Sequence, residues 1–456
     1  MKKILVFILI SAFVSTGILC RKAADFPTEN IDPRLSGGAA TVFLSNSQAF
    51  GQMISGLSTF DQFIHELGDR TFEQTFVSAP APHFPGLGPV FNNVSCISCH
   101  HNDGKGTPTM GAVTSSLLTR ISIPGMDANG GPLQAEGFGL QIQDKANNGP
   151  VEAKVKISYE EIPFTFRDGQ TVSLRKPTYT VTDPYRPLPA GYMTSVRMAP
   201  PVFGLGLLER VSSSTILALA DPADKDGDNV SGKPNYVFNQ ITGKKELGRF
   251  GLKANVPTLM LQVASAYHQD MGVTSYLFPE ESSFGQPQYI NGGKNTDMAD
   301  SLLDATTFYI STLAVPARRD VTDSGAIRGE RLFAIIGCSS CHQPTLITAV
   351  DVRLPALSHQ RIHPYTDLLL HDMGAGLADG RPDYDATGSE WRTMPLWGIG
   401  LFTKINGQGF YLHDGRARSI TEAILWHGGE AKTAKDRFVQ LTKGERNDLL
   451  KFLNSL

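Results

Sequence analysis

The sequence has little net charge, few cysteines and, beyond its first twenty residues, no long apolar run. A formal charge of −3 at pH 7 gives no general attraction to nucleic acid or to anionic lipid. No stretch after residue 20 is apolar enough to cross a bilayer. Of the five cysteines, only Cys20 lies outside two Cys-x-x-Cys-His runs. Histidine is missing altogether between His101 and His268. What remains is ordinary for a globular protein: 41% apolar and 19% charged residues over a length that suits two or three domains.

Lys2 and Lys3 precede an apolar run from Ile4 to Leu19. Residues 1–20 therefore read as a secretory signal peptide, too short and wrongly flanked for a spanning helix, and imply export to the periplasm. Cys20 closes the run. A cysteine there can carry a lipid anchor after cleavage, although Leu19 stands where that processing usually wants a small residue; the other reading is a cysteine removed with the signal. Residues 21–40 are polar and read as a flexible leader.

Two stretches share one plan. Phe91 precedes Cys96-Ile-Ser-Cys99-His100 by five residues, and Phe333 precedes Cys338-Ser-Ser-Cys341-His342 by the same interval. Each half closes with a helix of three-and-four apolar spacing, Leu302 to Leu313 and Asp448 to Leu456. The chain thus reads as an internal duplication, with domains at 41–320 and 321–456 and Pro316 to Asp320 as linker. The first half is much longer. Its excess includes alternating segments at Ala153–Tyr159 and Gln170–Arg175, with Arg167-Asp168-Gly169 between them as a turn. The expected fold is mainly α: two cytochrome c-like domains with a β-containing insertion in the first.

Cys-x-x-Cys-His is the haem c attachment signature: two thiols bond the porphyrin and the next residue ligates the iron. A redox dithiol does not require the histidine, and a zinc site would need further ligands that the cysteine count does not supply. The expected cofactors are two covalently bound haem c groups, at Cys96, Cys99 and His100 and at Cys338, Cys341 and His342. Candidate sixth ligands are Met373 in His371-Asp-Met373-Gly and Met271 in His268-Gln-Asp-Met271-Gly; core filling is the alternative for both. His371, His413 and His427 can be ligands or haem-propionate partners, or simply structural residues. Asp224, Asp226 and Asp228 alternate around a glycine and are a candidate calcium loop, or else a solvated acidic turn. Glu209 lies in an apolar stretch that begins at Arg197, where burial would raise its pKa and suit it to proton transfer; an ion pair with Arg210 is the plainer reading.

With those residues in place, the chain resembles the di-haem oxidoreductases, also labelled thiol oxidoreductases, which are relatives of the bacterial di-haem cytochrome c peroxidases. The phrases that carry the resemblance are Ala199 to Glu209, Asp224 to Asp228, Leu368 to Gly374, Glu390 to Trp397, Tyr411 to Gly415 and Trp426 to Glu430. It implies haem domains facing a shared interface and a peroxidase type of reaction. Two departures stand out. The peroxidases place a switchable histidine soon after the first motif, whereas here His101 is adjacent to His100. Their inter-haem tryptophan has no evident counterpart, since Trp391, Trp397 and Trp426 all lie in the second half.

The resulting expectation is a periplasmic oxidoreductase that reduces hydrogen peroxide. A small redox protein supplies electrons to the haem at His342, these are relayed to the haem at His100, and Glu209 is the candidate proton-transfer group. The alternatives are a non-catalytic di-haem electron carrier, or an oxidase of a thiol or partner protein.

Overall fold

The computed structural model describes residues 32–111, 115–290 and 296–456; the expected signal peptide and most of the leader lie outside them. The chain is 27% helix and 20% strand, so the mainly α expectation is wrong. The reason is the first half, where most of the chain between the haem motif and the closing helix pairs as strands or runs as extended loop. Among the described residues the α-helices are α1 (Thr59–Glu73), α2 (Leu205–Glu209), α3 (Ser213–Leu217), α4 (Leu259–Met271), α5 (Asp300–Ser311), α6 (Ser324–Ile335), α7 (Phe402–Asn406), α8 (Ile420–Trp426), α9 (Lys432–Gln440) and α10 (Lys443–Ser455). None of them is long and apolar enough to cross a membrane.

Two helix pairs repeat. α1 begins at Ser58, whose hydroxyl accepts the amide of Asp61, and buries His65, Gly68 and Phe72 on one face. That face lies on α5 so closely that a Cβ on Gly68 would fall 2.0 Å from the carbonyl oxygen of Ala305. In the second half, Asp323 caps α6 and a Thr442–Glu445 capping box starts α10. Both crossings are followed, one turn later, by an aromatic contact: Phe72 with Tyr309 at 5.5 Å, and Phe333 with Phe452 at 5.3 Å between ring centroids. The helical counterpart of Phe333 is therefore Phe72. Phe91, which has the matching sequence interval, sits on the strand Val90–Phe91.

The strand Leu117–Met126 centres a four-stranded sheet and pairs antiparallel with Met193–Met198 over the register Leu117↔Met198 to Ser122↔Met193. The expected alternating segments form one long hairpin, Lys154–Thr165 with Thr171–Thr182, turning at Arg167-Asp168-Gly169. This hairpin reaches across to the second half. Phe166 meets Phe438 edge-on at 6.0 Å, Tyr179 donates to Asp414 at 2.8 Å, and Arg418 pairs with Glu161 at 2.9 Å. The Pro316–Asp320 segment is pinned: Arg318 makes a two-point ion pair with Glu330 and lies over the Phe452 ring. One apolar core takes in Phe72 and Tyr309 from the first half and Phe333, Trp397 and Phe452 from the second.

Candidate functional site

Each Cys-x-x-Cys-His run folds as a tight turn, with the amides of His100 and His342 both 3.0 Å from the carbonyl of the first cysteine of their run. All four thiols are free. The Nδ1 of His100 lies 2.7 Å from the carbonyl oxygen of Pro200, and that of His342 lies 3.0 Å from the carbonyl oxygen of Tyr365. A carbonyl only accepts, so Nδ1 carries the proton and Nε2 keeps its lone pair for a metal. Burial lowers both imidazoles to about 4, which keeps them neutral. Phe72 and Phe333 flank the two rings at the same 6.1 Å. The two carbonyls stand at unrelated distances along the chain, so no sequence interval reveals them.

A cavity of about 470 Å³ opens beside the first motif, and Cys96, Cys99 and His100 line it. Such a volume suits a cofactor or drug-sized ligand, for which roughly 300–1,000 Å³ is usual. Arg120, Arg197, Arg381 and Arg392 also line it, two of them from the paired strands Leu117–Met126 and Met193–Met198. Asp383 accepts from Arg197 at 2.9 Å and from Arg381 at 3.2 Å, and these guanidinium groups hold its carboxyl below the usual range. The Nε of Arg120, the Nε of Arg381 and one Nη of Arg392 remain buried without an acceptor. Each such donor costs about 1–3 kcal/mol unless something anionic or polar meets it. A haem answers every part of this arrangement: thiols for its vinyl groups, an imidazole for its iron and guanidinium donors for its propionates. In the second half, the buried indole Nε1 of Trp426 likewise has no acceptor.

Residues 30–122 and 121–456 match the family described as "Di-haem oxidoreductase, putative peroxidase". The chain belongs to that family. It is a di-haem redox enzyme. No curated protein matches it in sequence. Among solved structures, it is similar to hydrazine synthase of Kuenenia stuttgartiensis pressurised with xenon, at 15% identity over 86% of this chain and 92% of that one, with a TM-score of 0.33. It is also similar to a MauG-like protein associated with microbial copper homeostasis, at 16% identity over 56% of this chain and 89% of that one, with a TM-score of 0.29.

In this di-haem oxidoreductase, Met271 is buried at the end of α4 and lines the first cavity. Met373 follows the strand Leu370–Asp372, and its backbone lies against Gly428, outside the lining of that cavity. Glu209 is also outside it. Its carboxylate accepts the Leu259 amide at the start of α4 at 2.8 Å and pairs with Arg210 at 2.7 Å, which is a capping arrangement. The part of that stretch that does reach the site is its beginning, from Arg197 to Phe203 and Leu205. Trp397, although carried by the second half, lines the first cavity. The carboxylates of Asp224, Asp226 and Asp228 offer oxygens that all lie within 4.8 Å of one another. Farther along that loop, Ser231 donates to Glu430 through both its amide, at 2.9 Å, and its hydroxyl, at 2.7 Å.

Proposed function

We propose that this oxidoreductase carries both haems as c-type groups, one on Cys96 and Cys99 and one on Cys338 and Cys341, and reduces hydrogen peroxide in the periplasm. The observation that carries the reading is the matched pair of histidines: each follows two free thiols and each has its Nδ1 on a backbone carbonyl. Bound haem would supply redox-active iron. The chain supplies the rest. His100 and His342 present Nε2, and the arginines of the first cavity would hold the propionates. The cavity beside His100 is where peroxide would enter. A small redox protein delivers electrons at the second site, and Trp397 lies on the wall between the second half and the first cavity. One peroxide takes two electrons and two protons and leaves as two waters. The Asp224–Asp228 loop is the calcium site in this reading, its three carboxylates supplying the hard oxygen donors that the ion takes.

Export in a host that installs haem c, followed by mass measurement and donor turnover, tests the proposal. Two added haems and the oxidation of two equivalents of a reduced small cytochrome per peroxide are expected. Loss of either result overturns the corresponding part: no added mass removes covalent attachment, and donor oxidation that does not depend on peroxide removes the peroxidase reading.

A further inference from the structure

The group opposite His342 decides whether the second haem is closed or open. Four side chains of the second half are candidates, and the structure separates them. His371 has no nitrogen to give: Nε2 lies 2.8 Å from Asp367 and Nδ1 lies 2.7 Å from Glu430, so carboxylates occupy both sides of the ring. His413 lies flat on Trp391, with ring centroids 3.8 Å apart and planes 10° apart, and its Nε2 faces Asp414 at 3.5 Å. Among the described residues no hydrogen bond holds the Met373 sulfur.

His427 is different. It follows the last residue of α8, and its Nδ1 lies 2.7 Å from the carbonyl oxygen of Ala423, one turn back. Nδ1 is therefore the protonated nitrogen and Nε2 keeps its lone pair. This is the device that prepares His100 and His342, here in a third histidine that no Cys-x-x-Cys precedes. His427 lies beside the second motif, because the glycines that follow it rest on the backbone just after His371, whose Nδ1 stands 3.4 Å from the Cys341 sulfur. Its position is also fixed from behind. A Cβ on Gly428 would fall 2.9 Å from the Met373 carbonyl oxygen, and one on Gly429 would fall 2.1 Å from that of Asp372. Two glycines thus let the chain after α8 lie directly on the 372–374 backbone, with no side chain between.

We propose that His427 is the second protein ligand at the Cys338–Cys341 site, so that a haem bound there would be held by two imidazoles, those of His342 and His427, and not by Met373. The inference rests on haem attachment at that site. A bis-imidazole haem is coordinatively full and sits at lower potential than one with a thioether ligand, which suits an electron relay and not a peroxide site.

The test is spectroscopy of the exported holoprotein, after mass has shown two haems. Ferric electron paramagnetic resonance and near-infrared magnetic circular dichroism distinguish bis-imidazole from imidazole–thioether coordination. The wild type is expected to show one bis-imidazole haem. His427→Ala should convert that haem to high spin, with both haems still present by mass, and added imidazole should restore the low-spin signal. His427→Met should replace the bis-imidazole band by a sulfur-to-iron band and raise the midpoint potential of one haem. Met373→Leu should change none of these. A wild-type thioether signature that disappears in Met373→Leu would overturn the proposal, as would an unchanged low-spin signal in His427→Ala. If His427→Ala does not fold, His427→Met decides, since it keeps a side chain of similar length and exchanges only the imidazole for a thioether. A missing haem by mass would instead count against attachment at the motif.

Discussion

Gly329 of α6 rests on Asp448 of α10, so closely that a Cβ at Gly329 would lie 2.0 Å from the carbonyl oxygen of Asp448. Nothing but hydrogen fits there, and the contact sets where Phe333 meets the His342 ring. Gly329→Ala must push the helices apart and is expected to cost about 3 kcal/mol, the upper end of the usual overpacking penalty. Gly68→Ala should do the same in the first half. Gly444 is the control, since a Cβ there would stand 4.0 Å from the Thr442 hydroxyl oxygen, and Gly444→Ala should be neutral or slightly stabilising. Denaturant titration of the three variants checks the ordering.

The two attachment sites are separate in the chain and have separate carbonyl anchors. Cys96→Ser combined with Cys99→Ser should therefore remove one haem and leave the other in place, and the Cys338 and Cys341 pair should behave reciprocally. Intact mass and pyridine haemochrome absorbance give the count directly.

Glu152 introduces a pH dependence of stability. It is buried, accepts the amide of Gln143 at 2.7 Å, and burial raises its pKa from 4.5 to about 8. The folded chain therefore holds a proton that the unfolded chain releases above about pH 4.5. The contribution of this group to stability is full below that pH, declines as pH rises, and is lost above about 8. Glu152→Gln should flatten this part of the profile and raise stability at pH 8 by about 2 kcal/mol, a fraction of the full linkage at ~1.4 kcal/mol per unit. Thermal melts of both proteins between pH 5 and pH 8.5 would show it.

Calcium should bind the Asp224–Asp228 loop. Burial and the neighbouring Asp226 and Asp224 raise the pKa of Asp228, a repulsion that a divalent cation would relieve. Calcium at a hundredfold excess over its dissociation constant would add about 2.7 kcal/mol of stability. Asp226→Asn should remove most of that gain. Melting temperatures with calcium and with chelator, in wild type and variant, measure it.

What could be read from the sequence followed its chemistry and not its fold class. The two Cys-x-x-Cys-His runs stand out in the sequence because their signature is a fixed local spacing. The long hairpin was legible because alternation and Arg167-Asp168-Gly169 act locally. Helix α1 was not, for a physical reason: Phe60 and Phe63 are 66% and 53% exposed, while His65, Gly68 and Thr71 face the core, so hydropathy points to the wrong side. Sequence interval therefore points to Phe91 as the partner of Phe333, whereas Phe72 is the structural counterpart. The four arginines of the first cavity come from four separate segments, and only the fold makes them neighbours. The apolar surroundings of Glu209 suggest proton transfer, but its carboxylate accepts the amide of Leu259, a use that no linear pattern displays.

The hairpin from Lys154 to Thr182 has a mechanical consequence. It springs from the half that carries His100 and is bolted to the half that carries His342, through Phe166 on Phe438, Asp168 with Arg446 and Tyr179 on Asp414. Such a brace resists shear between the halves. In the proposed relay, the gap an electron must jump would then be a built dimension of the molecule, insulated from the breathing of a hinge.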